Sequence, residues 1–270
     1  MSSSRASIEV NALPQEAIRK PLKPSDAFSR FSAHHFSPSP SGIDSNLILL
    51  LHGLGDSDTG FFNLGKSLQR TLPQTAILTL QAPYKVPFLD NGAHWMWYPC
   101  FDQFGQLLTK PNSTQTVTHL INVLRHLIDD CGWLASWIHI FGFGQGATIA
   151  LETLVSWTKY NHSDDAKHAH LASVVSISGE FISHPTLTNP ASTPVLHIYR
   201  SKSDVPNHSD RWASHRKATT GLHLQRLGLE KEGQEQAMIR GSEWDSVMQF
   251  WSRSLRNRSS WELQGKVTVL

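Results

Sequence analysis

The stretch whose residue types and spacing could do chemistry is Ile138–Thr148, reading IHIFGFGQGAT. The apolar run Trp137 to Phe141 reads as a buried strand, Gly142-Phe143-Gly144-Gln145-Gly146 as a turn, and Ala147–Trp157 as a helix. Strand, glycine-punctuated turn and helix are the frame of a nucleophile elbow, G-x-S-x-G, in which an exposed serine attacks an acyl carbon. Here Gly144 stands at the centre of the pattern and offers no hydroxyl. A glycine also suits such a turn on conformational grounds, since a positive φ strains other residues by about 1 kcal/mol or more.

A second glycine-containing turn, His52-Gly53-Leu54-Gly55, follows the apolar run Asn46–Leu51. Where two such turns meet at the C-terminal edge of a parallel sheet, their backbone N–H groups can form an oxyanion hole. Either turn alone is weak evidence; both together, each after a strand, are fairly specific. Displaced nucleophiles are available in Cys100 and Ser178, and Glu180 could act as an acid. A serine or thiol without a base reacts slowly at neutral pH. His34-His35 and the cluster His162, Asp164, Asp165, His168 and His170 invite a metal. Solvated polar turns account better for both, because nothing fixes the ligands.

The elements that must position these residues alternate. Asn46–Leu51 is a strand, Phe61, Leu64, Leu68 and Leu72 mark a helix face, and Thr75–Leu80 is a strand, which makes a βαβ unit and a parallel sheet. Asn112–Cys131 is an amphipathic helix. Ala172–Ile177, Pro194–Tyr199 and Leu222–Leu227 are further strands, with a weak helix over Ser209–Thr219. A last helix carries the stripe Trp244, Val247, Met248, Trp251 and Leu255, capped by Ser242 with Asp245 as reciprocal partner. Between the second and third elements of the sheet, Gln81–Gly105 is long and aromatic; Trp95, Trp97 and Tyr98 either line a cleft or pack as a lid on the sheet ends. The fold class is therefore α/β, a doubly wound and mostly parallel sheet in a single domain over 45–257. A loosely ordered Ser/Pro-rich leader is expected over 1–44, with a short edge strand near Phe31–Phe36, and a tail over 258–270.

Composition excludes several classes. A net charge of +2 argues against a nucleic-acid surface, and no apolar run is long enough to span a bilayer. Met1–Lys20 has no apolar core of a signal peptide, so the expected compartment is the cytoplasm, with Cys100 and Cys131 as reduced thiols.

LILLLHGLGDSDTGFFNLG and IHIFGFGQGATIALE resemble the phospholipase/carboxylesterase family of α/β-hydrolases, which includes the acyl-protein thioesterases. QAPYKVPFLDNGAHWMWY resembles the segment after the second of these strands in a fungal branch, where glycine at the elbow is a familiar variant. The resemblance runs from about Asn46 to Leu255. It implies an α/β-hydrolase fold, no metal or organic cofactor, and an acyl ester, thioester or fatty acid as ligand. Leu54 and Gln145 match the oxyanion-hole positions and Gly144 the nucleophile position. The acid is expected near Val205-Pro206; Asp204 is the candidate, although strict spacing selects Ser203. The base is expected within 228–243, which contains no histidine; His208, His215 and His223 are poor substitutes by position. The resulting expectation is a hydrolase-family protein without efficient hydrolysis, an acyl-binding or regulatory pseudoenzyme. The alternative is an active carboxylesterase or thioesterase with an unrecognised nucleophile.

Overall fold

The computed structural model describes residues 19–89, 94–160, 168–229 and 233–258. Its centre is a seven-stranded sheet in the order β1-β3-β2-β6-β7-β8-β9. The strands are β1 His34–Ser37, β2 Asn46–Leu51, β3 Thr75–Leu80, β6 Ile138–Phe143, β7 Ser173–Ile177, β8 Val195–Ser201 and β9 Leu222–Gly228. A small antiparallel pair, β4 Tyr84–Lys85 with β5 Trp95–Met96, stands apart. All neighbours in the main sheet run parallel except β1, which pairs antiparallel with β3.

The sheet is covered on both faces, which is why β2 and β3 are buried along their whole length. Strand alternation sorts the side chains. Leu47, Leu49 and Leu51 face the layer that includes α2 (Thr114–Asp129) and α3 (Gln145–Tyr160). Ile48 and Leu50 face α1 (Asp58–Leu68) and α5 (Trp244–Ser254). A short α4 (Ala213–Ala218) follows a 3-10 turn at Asp210–Trp212, in the place of the weak helix expected there. Among the described residues no helix is long and apolar enough to cross a membrane.

Two expectations are corrected. The described part of the leader is built onto the domain: β1 supplies the edge strand expected near Phe31–Phe36, and beyond that expectation Phe28 and Phe31 join the core and Asp44 accepts the N–H groups of Lys20 and Ser39. Two buried phenylalanines and a row of ladder hydrogen bonds offset the low apolar content around them. The expected box of Ser242 and Asp245 is replaced: α5 has Glu243 at its N-cap without a side-chain cap bond, and the box sits on the preceding 3-10 turn Gly241–Glu243, where Glu243 Oε2 accepts the Arg240 N–H at 2.8 Å. Residues 1–18, 259–270 and His162–Asp165 lie outside the described residues.

Candidate active site at the elbow

β6 passes directly into α3 through Gly144, whose φ is +53°. Its N–H donates to Ile177 O at 2.9 Å and its carbonyl accepts Thr148 N–H at 3.1 Å, so the turn is fixed from both sides. The flanking glycines are steric necessities. A Cβ on Gly142 would collide with Gly146 O and the Ala147 backbone, and one on Gly146 with the carbonyls of Leu51 and His52. Gly144 differs. Among the described residues outside its chain neighbours, only Gly53 Cα, at 3.8 Å, lies within 4 Å of a Cβ placed there. Space for a serine therefore exists, and backbone conformation alone favours glycine.

The first turn packs against the second: a Cβ on Gly53 would meet the Phe143 ring at 2.7 Å. Among the described residues, neither the Leu54 N–H nor the Gln145 N–H has a hydrogen-bond acceptor. Gln145 opens α3, so its amide also lies at the positive end of that helix.

His52 holds this arrangement together. Its Nδ1 lies 2.8 Å from Gly53 O, and its Nε2 receives the Ala82 N–H at 3.1 Å and Gln81 Nε2 at 2.9 Å. These contacts specify a neutral ring with hydrogen on Nδ1. Burial drives the same result, lowering its pKa to about 4 against the opposing pull of Gly53 O and Asp58. Trp97 is a strut between the turns: its indole N–H donates to His52 O at 2.7 Å and its backbone N–H to Gln145 Oε1 at 2.9 Å. It is fully buried, and Tyr98 nearly so, with burial pushing the Tyr98 hydroxyl up to about 12 despite a hydrogen bond with Thr148. Of the three expected cleft residues only Trp95 keeps partial exposure. Trp97 and Tyr98 belong to the core because their polar atoms find partners there. Among the described residues the exposed large apolar side chains are Leu54, within the first turn, Phe88 and Leu89 of the loop that follows β4, and Phe104, Leu107 and Leu108 of the loop that follows β5.

Asp204 follows β8, its side chain 82% exposed and ion-paired with Arg226 of β9. Ser203 donates its N–H to Ser201 Oγ at 3.3 Å. No imidazole partners either among the described residues. The segment expected to carry a base is held instead by Arg200 of β8, which binds Glu243 in two-point fashion and donates to the carbonyls of Ala237 and Met238. His215 is buried with its ring 4.5 Å from that of His197, His223 packs edge-on against Phe250, and His208 is exposed.

The displaced nucleophiles fare no better. Cys100 is buried, and that burial pushes its thiol up against a hydrogen bond from Gln145. Ser178, at φ +55°, donates to Glu235 O at 3.2 Å. Glu180 is paired with Arg211 at 3.2 Å; burial raises its pKa and Arg211 opposes the rise. One imidazole the sequence reading passed over is His94, whose Nδ1 lies 2.8 Å from Gly55 O in the first turn. A lone histidine in an irregular loop carries no periodic or motif signal that would single it out.

The family model for phospholipase/carboxylesterase matches residues 34–257, and the chain belongs to that family. An uncharacterized hydrolase of Mycosarcoma maydis is 60% identical over 269 residues, covering 100% of this chain and 99% of that protein. Among solved structures, esterase PE8 superposes with a TM-score of 0.63 at 21% identity, over 83% of this chain and 99% of that one. Zea mays acyl-protein thioesterase 2 gives 0.57 at 21% identity, over 84% and 100%. The α/β-hydrolase fold is thus shared with proteins named as esterases and thioesterases.

Proposed function

We propose that this protein is an acyl-binding member of its family in which hydrolysis is lost or feeble. The observation that carries this reading is a fully formed elbow with Gly144 at its centre and, among the described residues outside its chain neighbours, only Gly53 Cα within 4 Å of a Cβ placed there. In a serine protease, loss of the nucleophile or base removes about 10⁶ of kcat, leaving roughly 10³–10⁴ over water from the oxyanion hole and binding. The amides of Leu54 and Gln145 would receive the carbonyl or carboxylate oxygen of an acyl ester, thioester or fatty acid. The acyl chain would start at the exposed Leu54 side chain of the first turn. Asp204, engaged by Arg226, has no catalytic role in this reading. The proposed setting is the cytoplasm, where free thiols such as Cys100 and Cys131 stay reduced.

The test pairs turnover with binding. Purified protein should give no turnover of short acyl esters or thioesters near 1 s⁻¹, about the low end of ordinary enzymes. Fatty acids of increasing length should raise the melting temperature, by about 2.7 kcal/mol of stabilisation at 100 times Kd. Enzyme-like turnover overturns the loss of hydrolysis, and melting curves unmoved by every chain length overturn the acyl ligand.

A further inference from the structure

A second constellation of nucleophile, imidazole and carboxylate lies at the C-terminal end of α2. His126 Nδ1 is 2.7 Å from Asp130 Oδ2, one helical turn on. The chain then reverses and places Cys131 Sγ 3.5 Å from His126 Nε2. Thiol, ring and carboxylate in this order are the parts of an activated cysteine: nucleophile, base and orienting acid. α2 leads into one end of β6 and the elbow leaves the other, so this cluster lies on the opposite edge of the sheet.

The hydrogen-bond pattern around His126 bears on its charge. Nε2 also lies 3.0 Å from Lys23 O. A carboxylate and a carbonyl are both acceptors, so both ring contacts are satisfied only when both nitrogens carry hydrogen. Phe28 packs edge-on against the ring, 5.5 Å between centroids, and fixes its plane. An imidazole N–H 3.5 Å from sulfur is placed to hydrogen-bond the thiolate. Burial pushes the Cys131 thiol up and Asp130 adds to the rise; a hydrogen bond from the Lys23 backbone and the Lys23 charge pull the other way.

We propose that Cys131, His126 and Asp130 form a second reactive site, at which the Cys131 sulfur is oxidised by hydroperoxides. The thiolate attacks the distal peroxide oxygen, so that an S–O bond forms as the O–O bond breaks. Sulfur is oxidised to the sulfenic acid and the peroxide is reduced. The departing alkoxide or hydroxide takes the proton from His126 Nε2 and leaves as alcohol or water.

Cys100 is an internal control, because both cysteines are 7% exposed and differ in their neighbours rather than in access. Iodoacetamide at about pH 7 should alkylate Cys131 at least about tenfold faster than Cys100, read peptide by peptide in the mass spectrum. After hydrogen peroxide, a sulfenic-acid probe should mark Cys131 and not Cys100. Asp130→Asn changes a side chain that is 62% exposed, so the fold should survive it. It should slow Cys131 severalfold and leave Cys100 unchanged, and His126→Gln should slow Cys131 further. Equal rates at the two cysteines, or an Asp130→Asn protein that reacts like the parent or slows both alike, would overturn the proposal.

Discussion

Arg200 and Glu243 are joined by two hydrogen bonds, Nη1 to Oε1 at 2.8 Å and Nη2 to Oε2 at 2.7 Å. The pair ties β8 to the turn ahead of α5, the two segments that the acid and the base of a catalytic triad would otherwise link. A planar fork meeting a carboxylate is among the stronger side-chain pairings, and here it holds the chain that borders the elbow.

Glu243→Gln should therefore destabilise the protein at neutral pH, by about 1.5–3 kcal/mol, the range for hydrogen bonds to charged groups. Arg200 holds the Glu243 carboxyl below its ordinary value, so its stabilising contribution is present above that value and lost as pH falls through the lowered one. Urea melts of parent and variant should differ near pH 7 and converge in acid below the usual carboxylate range. A gap unchanged across that window would exclude the ion pair as its source.

Gly144→Ser should fold, because a Cβ there makes ordinary van der Waals contact with Gly53 Cα at 3.8 Å, at a loss of about 1 kcal/mol from the positive φ. The new hydroxyl should resist fluorophosphonates until a histidine is also placed within Ala237–Ser242, scanned one position at a time. Rapid labelling of the single variant would mean that a base is already present, and His94, at the first turn, would be the residue to replace next.

Trp97→Ala should be strongly destabilising, by about 3–5 kcal/mol, since it empties a fully buried site and takes from His52 O its indole donor, while the backbone N–H to Gln145 Oε1 remains. Trp95→Ala, at a partly exposed position, should lose less. Comparable melting temperatures for the two variants would contradict the strut role.

His197 and His215 face each other with ring centroids 4.5 Å apart, and His197 Nε2 and both His215 nitrogens lack partners among the described residues. Burial, with the Arg211 charge adding to it, lowers the His215 pKa to about 4; burial, His215 and Arg211 take His197 well below its ordinary value. Unfolding must then bind protons below about pH 6.5, so stability should rise with pH across the window from about 4 to 6.5. His215→Phe should lose about 2 kcal/mol less than the parent between pH 7 and 5, at about 1.4 kcal/mol per unit. Identical losses in denaturant melts would show that His215 does not titrate on unfolding.

Local sequence carries the backbone plan of this protein. Continuous apolar runs mark β2, β3 and β6 as strands covered on both faces, and Gly142, Gly144 and Gly146 announce the elbow. These are properties of neighbouring residues: burial on two faces needs an unbroken apolar run, and a tight strand-to-helix turn needs residues without side chains. The family resemblance, resting on the same two turns, followed from them. Tertiary structure alone decided where side chains found partners. Trp97 reads as a cleft aromatic until His52 O and Gln145 Oε1 are seen to hold it in the core. Asp204 reads as an acid until Arg226, two strand positions from the edge end of β9, takes its carboxylate. Lys23, His126 and Cys131 gave no joint signal, because the contact of Lys23 with His126 spans 103 residues. A side chain's role is set by whichever polar group the packed fold brings within about 3 Å, and sequence separation says nothing of that distance.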